Sequence, residues 1–249
     1  MKNLTTKLSL AAALTLAMGT FGAQAAHADE AVADNVVTGN VALTSDYRYR
    51  GLSQSRGHVA LQGGADYTHN PSGLYAGVWA STIKWITDLD GDANVEIDLY
   101  GGKRGEFGPG ISYDVGGLYY AYPSNGLTPS ANTFEVYGQL GYGPGYIKYS
   151  HSTTNLFGTA DSKGSGYLDI GTNVEVSPGL TLNIHAGHQR VAHNSAFSYS
   201  DYKIGLTKDV GFASVAVAVI KAQTDLYVSP VNGKNLAKSG LVLTVSKTF

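Results

Sequence analysis

The chain ends in the stretch Leu241-Val242-Leu243-Thr244-Val245-Ser246-Lys247-Thr248-Phe249. Its odd-numbered positions are apolar except for Lys247, and the positions between them are polar after Val242. Side chains of a β-strand point alternately to opposite faces, so this period of two predicts a strand with one apolar face and one mainly polar face. The aromatic ring of Phe249 falls on the apolar face, at the very end of the strand.

The same alternation recurs upstream in nine segments, and two further segments are apolar on both faces, so that their inner and outer faces cannot be assigned. Together with the terminal stretch they predict twelve strands. These cover residues 37–50, 58–67, 74–83, 95–100, 111–122, 133–142, 146–151, 167–177, 180–189, 202–208, 212–222 and 240–249, the two apolar segments being 74–83 and 212–222.

Charged side chains lie almost entirely on one face of the ten strands whose faces can be assigned. The apolar faces hold a single charge, Lys247. The polar faces hold Asp46, Arg48, Arg50, Asp66, Glu96, Asp98, Asp114, Glu135, Lys148, Asp169, Glu175 and Lys203. This pattern is typical of strands between lipid and a wet interior, although a soluble β-sandwich that turns its charges to water has it too.

The lengths of the connections separate these two folds. Transmembrane barrels have long loops at one end and short turns at the other, whereas a sandwich has no reason to sort its connections by end. Long and short connections mostly alternate here, with 51–57 and 101–110 as the exceptions. The odd connections are 51–57, 84–94, 123–132, 152–166, 190–201 and 223–239, and the even ones are 68–73, 101–110, 143–145, 178–179 and 209–211.

A helical membrane protein is excluded by the short apolar runs. The longest one beyond the N-terminal region, Val215 to Ile220, is far below the roughly 20 residues of a transmembrane helix. In lipid only a closed barrel then satisfies every backbone group. We therefore predict an all-β fold, a transmembrane antiparallel up-and-down β-barrel of about twelve strands, with a soluble exported β-sandwich as the alternative.

Aromatic side chains lie near the predicted strand ends. Tyr142 and Tyr146 flank the turn at 143–145, and Tyr67 and Tyr75 flank the turn at 68–73. Transmembrane barrels carry aromatic girdles at such interfacial positions. Near the opposite ends lie Trp85, Tyr149, Tyr167 and Tyr199.

The N-terminal region has the features of a secretory signal peptide. Lys2 and Lys7 precede a short apolar run, and two A-x-A cleavage sites follow, ending at Ala25 and Ala28. We predict a signal peptide over 1–28, a short periplasmic segment over 29–36 and the barrel over 37–249. A strand ending on Phe249 resembles the signal by which the barrel-assembly machinery recognises its substrates. Lys247 departs from this signal, since that position is usually apolar. The resemblance predicts that the protein is located in the outer membrane of a Gram-negative bacterium.

Three stretches of the N-terminal half are distinctive: Asn40-Val41-Ala42-Leu43-Thr44-Ser45-Asp46-Tyr47-Arg48-Tyr49-Arg50-Gly51-Leu52-Ser53-Gln54-Ser55, Gln62-Gly63-Gly64-Ala65-Asp66-Tyr67 and Gly73-Leu74-Tyr75-Ala76-Gly77-Val78-Trp79-Ala80-Ser81. They resemble the TorF-type porin family, also known as Gcw_chp, an outer-membrane group of unknown function. The stretches 96–102 and 119–123 look like its next blocks, and the resemblance becomes diffuse after about residue 140. It implies a barrel and a porin, but no established substrate or catalytic residue.

The twelve charged residues of the polar faces are the predicted pore lining. Charged rings in a narrow lumen determine which solutes pass. We predict passive diffusion of small hydrophilic solutes or ions, with unknown specificity and no cofactor. Eight acids against four bases in this set predict a weak cation preference. The alternative is a non-conducting structural or interaction barrel with a plugged lumen, because twelve strands lie between the roughly eight of a filled barrel and the sixteen of an open one.

Other chemistry has weaker support. The loop Asp88, Asp90, Asp92 and Asn94 spaces four oxygen side chains evenly, as a weak calcium site could, but an ordinary solvated loop is the simpler interpretation. His185 and His188 fall on opposite strand faces and cannot share a metal. No serine, histidine and acid are brought together by the strand phases, so an outer-membrane hydrolase is a remote alternative and we predict no enzyme.

Charge and composition narrow the partners. Without Lys2 and Lys7 of the predicted signal peptide, 15 of the 17 basic residues remain against 19 acidic ones, which argues against nucleic acid as a partner. The absence of cysteine excludes disulfides and thiolate metal sites. The predicted partners are outer-membrane lipid, the barrel-assembly machinery and small solutes. Whether barrels associate as homo-oligomers is left open by the sequence.

Overall fold

The computed structural model describes residues 33–249. The predicted signal peptide, 1–28, and the first part of the predicted periplasmic segment, up to residue 32, lie outside the described residues. Within residues 33–249 no helix has the length and apolar character needed to span a membrane.

Twelve of the strands form one closed barrel. They are β1 (Asn35–Thr44), β4 (Ala60–His69), β5 (Leu74–Thr82), β6 (Val95–Glu106), β7 (Ile111–Ala121), β8 (Thr133–Tyr142), β9 (Gly145–Ser152), β10 (Gly166–Ser177), β11 (Leu180–Arg190), β12 (Tyr199–Asp209), β13 (Ser214–Ala222) and β14 (Gly240–Thr248). The connections carry a two-stranded ribbon, β2 (Arg48–Tyr49) and β3 (Leu52–Ser53), a helix α1 (Trp85–Asp88) and a 3₁₀ turn (Ser195–Phe197).

Each barrel strand pairs antiparallel with its neighbour in the sequence, and the first strand closes on the last. β1 pairs with β4 over its whole length, from Asn35 opposite His69 to Thr44 opposite Ala60. Its other edge pairs with β14, where Gly39 and Phe249 exchange two backbone hydrogen bonds of 3.2 and 2.8 Å. The prediction of a closed twelve-stranded antiparallel barrel is therefore confirmed.

The connections are sorted between the two ends of the barrel. One end, called the loop end here, carries the segments 45–59, 83–94, 122–132, 153–165, 191–198 and 223–239. The other, the turn end, carries the short turns 70–73, 107–110, 143–144, 178–179 and 210–213. Closure pairs every strand edge, so the barrel leaves no open edge on which another chain could add a strand.

Alternation gives the barrel an apolar outside and a mainly polar inside. Large apolar side chains are exposed at every second position, for example Leu43, Leu61 and Leu99 at 50–56 %. The structure also assigns the faces of the two strands that the sequence left open. In β5 the side chains of Tyr75, Trp79 and Ser81 are buried, and in β13 the buried side chains are Ala216, Ala218 and Ala222.

The first predicted strand, 37–50, is too long. β1 ends at Thr44, and the chain leaves the barrel wall there. Alternation continues beyond this point because β2 is itself extended, but β2 pairs with β3 and not with the wall. Left-handed backbone at Arg50 and Gly51, with φ of +46° and +80°, reverses the chain between the two short strands.

The predicted turn at 101–110 is wrong in its extent. β6 continues to Glu106, and the turn spans only 107–110. Gly108 and Gly110 have positive φ and make the turn. Gly101 and Gly102 are strand residues instead: a Cβ added to Gly102 would lie 2.9 Å from Cζ of Tyr75, so this glycine is needed for packing.

Only part of the predicted aromatic girdle faces outward. Tyr67 and Tyr142 are exposed on the outer surface at the turn end, at 42 % and 74 %. Tyr75 and Tyr146 point into the barrel, where their hydroxyls donate hydrogen bonds to carboxylates. Of the loop-end aromatics Tyr149 is exposed, whereas Tyr167 and Tyr199 are buried and Trp85 packs inside against Tyr122.

Candidate functional site in the barrel lumen

The connection between β1 and β4 folds into the barrel. We call residues 45–59 the inward segment. Its Tyr47 hydroxyl donates to Glu96 Oε1 at 2.7 Å, and Glu96 lies on the inner face of β6. Deeper in the same connection the Tyr49 and Tyr120 hydroxyls lie 2.5 Å apart. The first loop is therefore attached to the inner wall of the barrel at several points.

The inward segment is held in shape by its own aspartate. Oδ1 of Asp46 accepts hydrogen bonds from the Ser53 hydroxyl at 2.5 Å and from the Ser55 hydroxyl at 3.2 Å. It also accepts one from the backbone N–H of Gly57 at 3.1 Å. Its other oxygen pairs with Arg48 Nε at 2.8 Å. The Asp46 carboxylate therefore connects both strands of the ribbon with the backbone at Gly57.

Arg48 fastens this ribbon to the barrel rim. Its guanidinium donates to the carbonyl oxygen of Lys238 at 2.7 Å, just before β14. The same nitrogen donates to the carbonyl of Gly51 at 3.2 Å. Arg48 therefore bridges the inward segment and the loop-end rim beside β14, so the segment cannot move without losing these bonds.

Arg50 makes the deepest charged contact of the inward segment. Its two terminal nitrogens donate to the two oxygens of Glu135 at 3.0 and 2.7 Å, a bidentate pair. One of them also donates to Gln189 Oε1 at 2.7 Å. The guanidinium lies 4.2 Å from the ring centre of Tyr167, and the residue is only 6 % exposed. Removing one partner of such a buried pair leaves an uncompensated charge, which costs about 3–5 kcal/mol.

A packed aromatic and aliphatic layer surrounds these contacts. We call it the lumen cluster; it includes Tyr47, Tyr49, Trp79, Ile83, Ile86, Leu118, Tyr120 and Tyr122. Tyr49 and Tyr120 both contact the ring of Phe157 edge-on, with ring centres 5.7 and 5.1 Å apart. The cluster joins the inward segment to side chains of β5, β7 and the loop after β5. Together with the contacts of Arg50 to Glu135 on β8 and Gln189 on β11, this layer crosses the loop-end half of the lumen.

Two acidic residues of β6, Glu96 and Asp98, lie beside this layer and differ in their hydrogen bonding. Glu96 accepts hydrogen bonds from Tyr47 at 2.7 Å and from Tyr122 at 3.0 Å. Burial raises the pKa of both tyrosines well above the usual value, so both hydroxyls remain protonated donors. Asp98 is fully buried, and neither carboxylate oxygen has a hydrogen-bond partner among the described residues.

Polar pairs fill the lumen toward the turn end. The Tyr75 hydroxyl donates to Asp114 at 2.6 Å and also contacts the Tyr137 hydroxyl. Lys148 Nζ lies 4.0 Å from the ring centre of Tyr137. On the opposite wall both ring nitrogens of His185 contact carboxylates.

The two contacts of His185 with carboxylates form a polar network on the wall made by β10, β11 and β12. His185 Nδ1 lies 2.7 Å from Asp169, and its Nε2 lies 2.7 Å from Asp201. The Tyr167 hydroxyl adds a hydrogen bond to Asp201 at 2.9 Å. A cationic imidazole donates from both nitrogens, which fits an arrangement with a carboxyl group on each side of the ring. The members of the network come from three neighbouring strands, β10, β11 and β12.

The predicted pore-lining residues are not arranged as one ring. Asp46, Arg48 and Arg50 belong to the inward segment, so they are not wall residues of the strand predicted over 37–50. Glu175 is exposed at the turn end, where it accepts the backbone N–H of Gly179. The others lie on inner strand faces: Asp66, Glu96, Asp98, Asp114, Glu135, Lys148, Asp169 and Lys203. Their role as a pore lining stays a prediction.

The sequence pattern did not identify two inward charged residues, Arg104 and Asp201, and His185, although placed on a predicted strand, was not included in the predicted pore lining. Arg104, whose guanidinium lies over the Tyr75 ring at 5.2 Å, fell in a segment that was taken as a turn. Asp201 was assigned to a loop, although it shares the strand phase of Lys203. Extending the predicted strand 95–100 by four residues and the strand 202–208 by one residue would have included both.

The weak calcium loop is not assembled in the structure. Asp88 is buried and its carboxylate pairs with Arg56 and accepts a hydrogen bond from Ser229 at 3.0 Å. Asp90 is exposed on a left-handed turn. Over residues 33–249 no three histidine, cysteine, aspartate or glutamate side chains are grouped so as to hold a metal ion.

Serine–histidine contacts in the described part of the chain do not form a hydrolytic triad. The His69 ring contacts the Ser72 hydroxyl at 2.7 Å, and the His188 ring contacts that of Ser200 at 3.0 Å. Neither histidine has a carboxylate partner, whereas His185, which has two, has no serine partner. A nucleophile, a base and an orienting acid are thus never found together among residues 33–249.

Comparison with known proteins supports the fold. Residues 28–249 match a family described as "Bacterial protein of unknown function (Gcw_chp)". No curated protein sequence matches the chain. Among solved structures the chain is similar to a KdgM porin, with a TM-score of 0.54 at 7 % identity, over 86 % of this chain and 98 % of that one. A KdgM porin in complex with disordered oligogalacturonate gives a TM-score of 0.51 at 7 % identity, with the same coverage. At these identities the likeness concerns the fold alone.

Proposed function

Because this chain belongs to the Gcw_chp family of bacterial proteins of unknown function, its activity has to be argued from its structure, and we propose that it is an outer-membrane channel for passive diffusion of small hydrophilic solutes. The observation that carries the proposal is a closed barrel with an apolar outer face, a charged inner face and a first loop folded into the lumen. We further propose that this conformation is the closed state, because the inward segment and the lumen cluster cross the loop-end half of the lumen.

The outer membrane is the location that this surface fits best. Exposed aliphatic side chains around the barrel match the apolar band that transmembrane barrels present to lipid. Exposed aromatic side chains at the turn end, Tyr67, Phe107, Tyr142, Phe212 and Phe249, suit an interfacial girdle. Fractionation of cells that express the full chain tests the location, and recovery in the soluble fraction without detergent would exclude it.

The solute class follows from the balance of charges in the lumen. The KdgM porin that resembles this fold was solved with oligogalacturonate, an acidic sugar polymer. Here acidic residues outnumber basic residues on the inner surface. Asp201 adds one acid and Arg104 adds one base to the predicted pore-lining residues. Since a negatively charged lumen repels anions, we propose neutral or cationic small hydrophilic solutes for this chain.

Conductance of the purified chain in planar bilayers tests the channel. We expect wild-type protein to be mostly closed and Arg50→Ala to conduct more often, because the substitution removes the bonds to Glu135 and Gln189 that hold the inward segment. Lys163→Ala, at an exposed position of another loop, is the matched control and should behave as wild type. Absence of conductance in both wild type and Arg50→Ala would refute the channel.

Movement of the inward segment can be measured separately. The chain has no cysteine, so Ser55→Cys introduces a single thiol at a position that is 2 % exposed. We expect slow labelling by a water-soluble maleimide in the otherwise wild-type chain and faster labelling when Arg50→Ala is added. Equal labelling rates would mean that Arg50 does not hold the segment in place.

The second candidate function is a non-conducting barrel with a structural or interaction role. The packing of the lumen cluster favours it, because buried aromatic layers resist rearrangement. The same conductance measurements separate the two candidates: a barrel of this second kind stays silent even when the Arg50 contacts are removed.

A further inference from the structure

A cavity of about 310 Å³ lies at the loop end, beside the inward segment. Its walls come from connections far apart in the sequence and are mainly apolar. They include Trp85 of α1, Tyr122, Phe157, Tyr199, Tyr227 and Leu236. Tyr49 and Arg50 of the inward segment also line it.

The apolar lining extends to the open side of the cavity. Leu226 and Leu89 line it and are 56 % and 53 % exposed, and Phe197 and Val228 are 42 % and 45 % exposed. These residues belong to loops, where apolar side chains gain nothing from contact with lipid. A concave apolar surface that faces water marks a binding site more often than a structural feature.

The charges around the cavity are already paired. Arg50 and Asp88 are the charged side chains that line it. Arg50 is bound by Glu135, and Asp88 is bound by Arg56. An ionic ligand would therefore lose its hydration without meeting a free charge of opposite sign, which is unfavourable in an apolar site. The lining selects for a neutral molecule.

The unsatisfied polar groups of the lining are donors. Arg50 Nε and Trp85 Nε1 are both buried without a hydrogen-bond partner in the described structure. An orphaned buried donor costs about 1–3 kcal/mol. An acceptor on a ligand relieves that cost for Trp85 once the indole turns toward it, whereas the guanidinium of Arg50 stays bound to Glu135 and Gln189. The lining thus favours a molecule that carries an acceptor such as a carbonyl oxygen.

We propose that this cavity is a binding site for a neutral, mainly apolar molecule of about two fused rings that carries a hydrogen-bond acceptor. The size follows from volume, since a dry apolar cavity of about 150 Å³ is enough for benzene and this one is about 310 Å³. The site is independent of the solute that crosses the barrel, and the proposal does not require that the barrel conducts.

Binding of 6-fluorocoumarin, a neutral two-ring lactone, tests the site by ¹⁹F NMR on the full chain in detergent. We expect a saturable bound signal with the wild-type protein. Leu236→Trp places a large side chain in the cavity and should weaken binding by at least about tenfold. The matched control is Leu241→Trp on the outer face of β14, where the leucine is 71 % exposed; it should bind as wild type does.

A charged analogue tests the selectivity. 6-Fluorocoumarin-3-carboxylate has the same rings and should bind more weakly by about tenfold or more. Trp85→Phe keeps an aromatic wall but removes one orphaned donor, and it should weaken binding of the neutral lactone while leaving the folded barrel intact on unboiled gels.

Two results would overturn the proposal. One is an identical, non-saturable signal for wild type, Leu236→Trp and Leu241→Trp, because such a signal indicates that the lactone partitions into detergent. The other is an affinity for the carboxylate analogue equal to that for the neutral lactone. Conductance is recorded without any added ligand, so failure of the lactone to bind would not contradict the proposed channel. A barrel that binds the lactone but does not conduct would refute only the channel.

Discussion

At the scale of the residue, Arg50 connects the first loop to the opposite wall. Its partner Glu135 is 85 positions away in the sequence, and both side chains are 3 % exposed. A guanidinium forms two parallel hydrogen bonds to a carboxylate, so this pair determines the orientation of the inward segment as well as its attachment. Gln189 and the Tyr167 ring complete the surroundings of the guanidinium, so that its charge is stabilised from three sides.

Glu135→Gln is expected to destabilise the barrel. The substitution keeps the size of the side chain but leaves the charge of Arg50 buried without a counter-charge, so the free energy of unfolding should fall by about 3–5 kcal/mol. Urea unfolding in detergent, followed by tryptophan fluorescence, measures it. Glu106→Gln, at an exposed position at the end of β6, is the control and should have little effect.

The double variant Arg50→Met with Glu135→Leu removes both charges together and should recover most of the lost stability. If Glu135→Gln and Glu106→Gln unfold at the same urea concentration, the Arg50–Glu135 pair contributes nothing to the barrel.

At the scale of the element, tyrosine and glycine pack against each other across neighbouring strands. Tyr137 on β8 lies over Gly116 on β7: a Cβ added to this glycine would be 2.8 Å from Cζ of the tyrosine. Tyr146 on β9 covers Gly171 on β10 in the same way, with Cε1 at 2.7 Å. This packing accounts for several of the glycines inside strands, because an inward ring that lies over the next strand needs a position without a side chain.

Gly116→Ala should therefore lower stability by about 1–3 kcal/mol, the usual cost of adding a methyl group to a filled site. The new Cβ would also lie 2.6 Å from the carbonyl oxygen of Gly101, which is backbone and cannot rotate away. Gly138→Ala is the matched control, since its Cβ would meet only Val115 Cγ1 at 3.9 Å. Thermal unfolding on unboiled gels compares the two. A larger loss for Gly138→Ala would contradict the packing argument.

At the scale of the whole molecule, the barrel is a membrane-type cylinder whose charges are turned inward. Acids and bases inside are largely paired with each other or with tyrosine hydroxyls, as in the bridge from Asp169 through His185 to Asp201. Acidic residues outnumber basic ones on the inner surface, which predicts a net negative field in the lumen. A low-dielectric wall focuses this field along the lumen.

We expect the open channel to prefer cations weakly. In a potassium chloride gradient across a planar bilayer, the reversal potential of Arg50→Ala should have the sign that indicates potassium selectivity. Asp114→Asn, inside the lumen, should reduce this preference, whereas Asp161→Asn, whose side chain is 85 % exposed on a loop, should leave it unchanged. A reversal potential that favours chloride would show that the excess of acids does not control permeation.

The sequence alone predicted the number of strands, the long loops and short turns, and the inner and outer faces of most strands. It could do so because lipid and lumen impose a period of two on each strand separately, and Leu241 to Phe249 displays that period without reference to any other part of the chain. The faces of β5 and β13 required the structure, since both faces of these strands are apolar.

The tertiary structure alone decided the course of the inward segment. Tyr47, Arg48, Tyr49 and Arg50 continue the alternation of β1, so nothing local distinguishes them from a longer wall strand. Their partners Glu96, Lys238, Tyr120 and Glu135 are far away in the sequence, and only closure of the barrel brings them within hydrogen-bonding distance. Whether the lumen of a twelve-stranded barrel is open or crossed by packed side chains is thus a property of contacts across the cylinder.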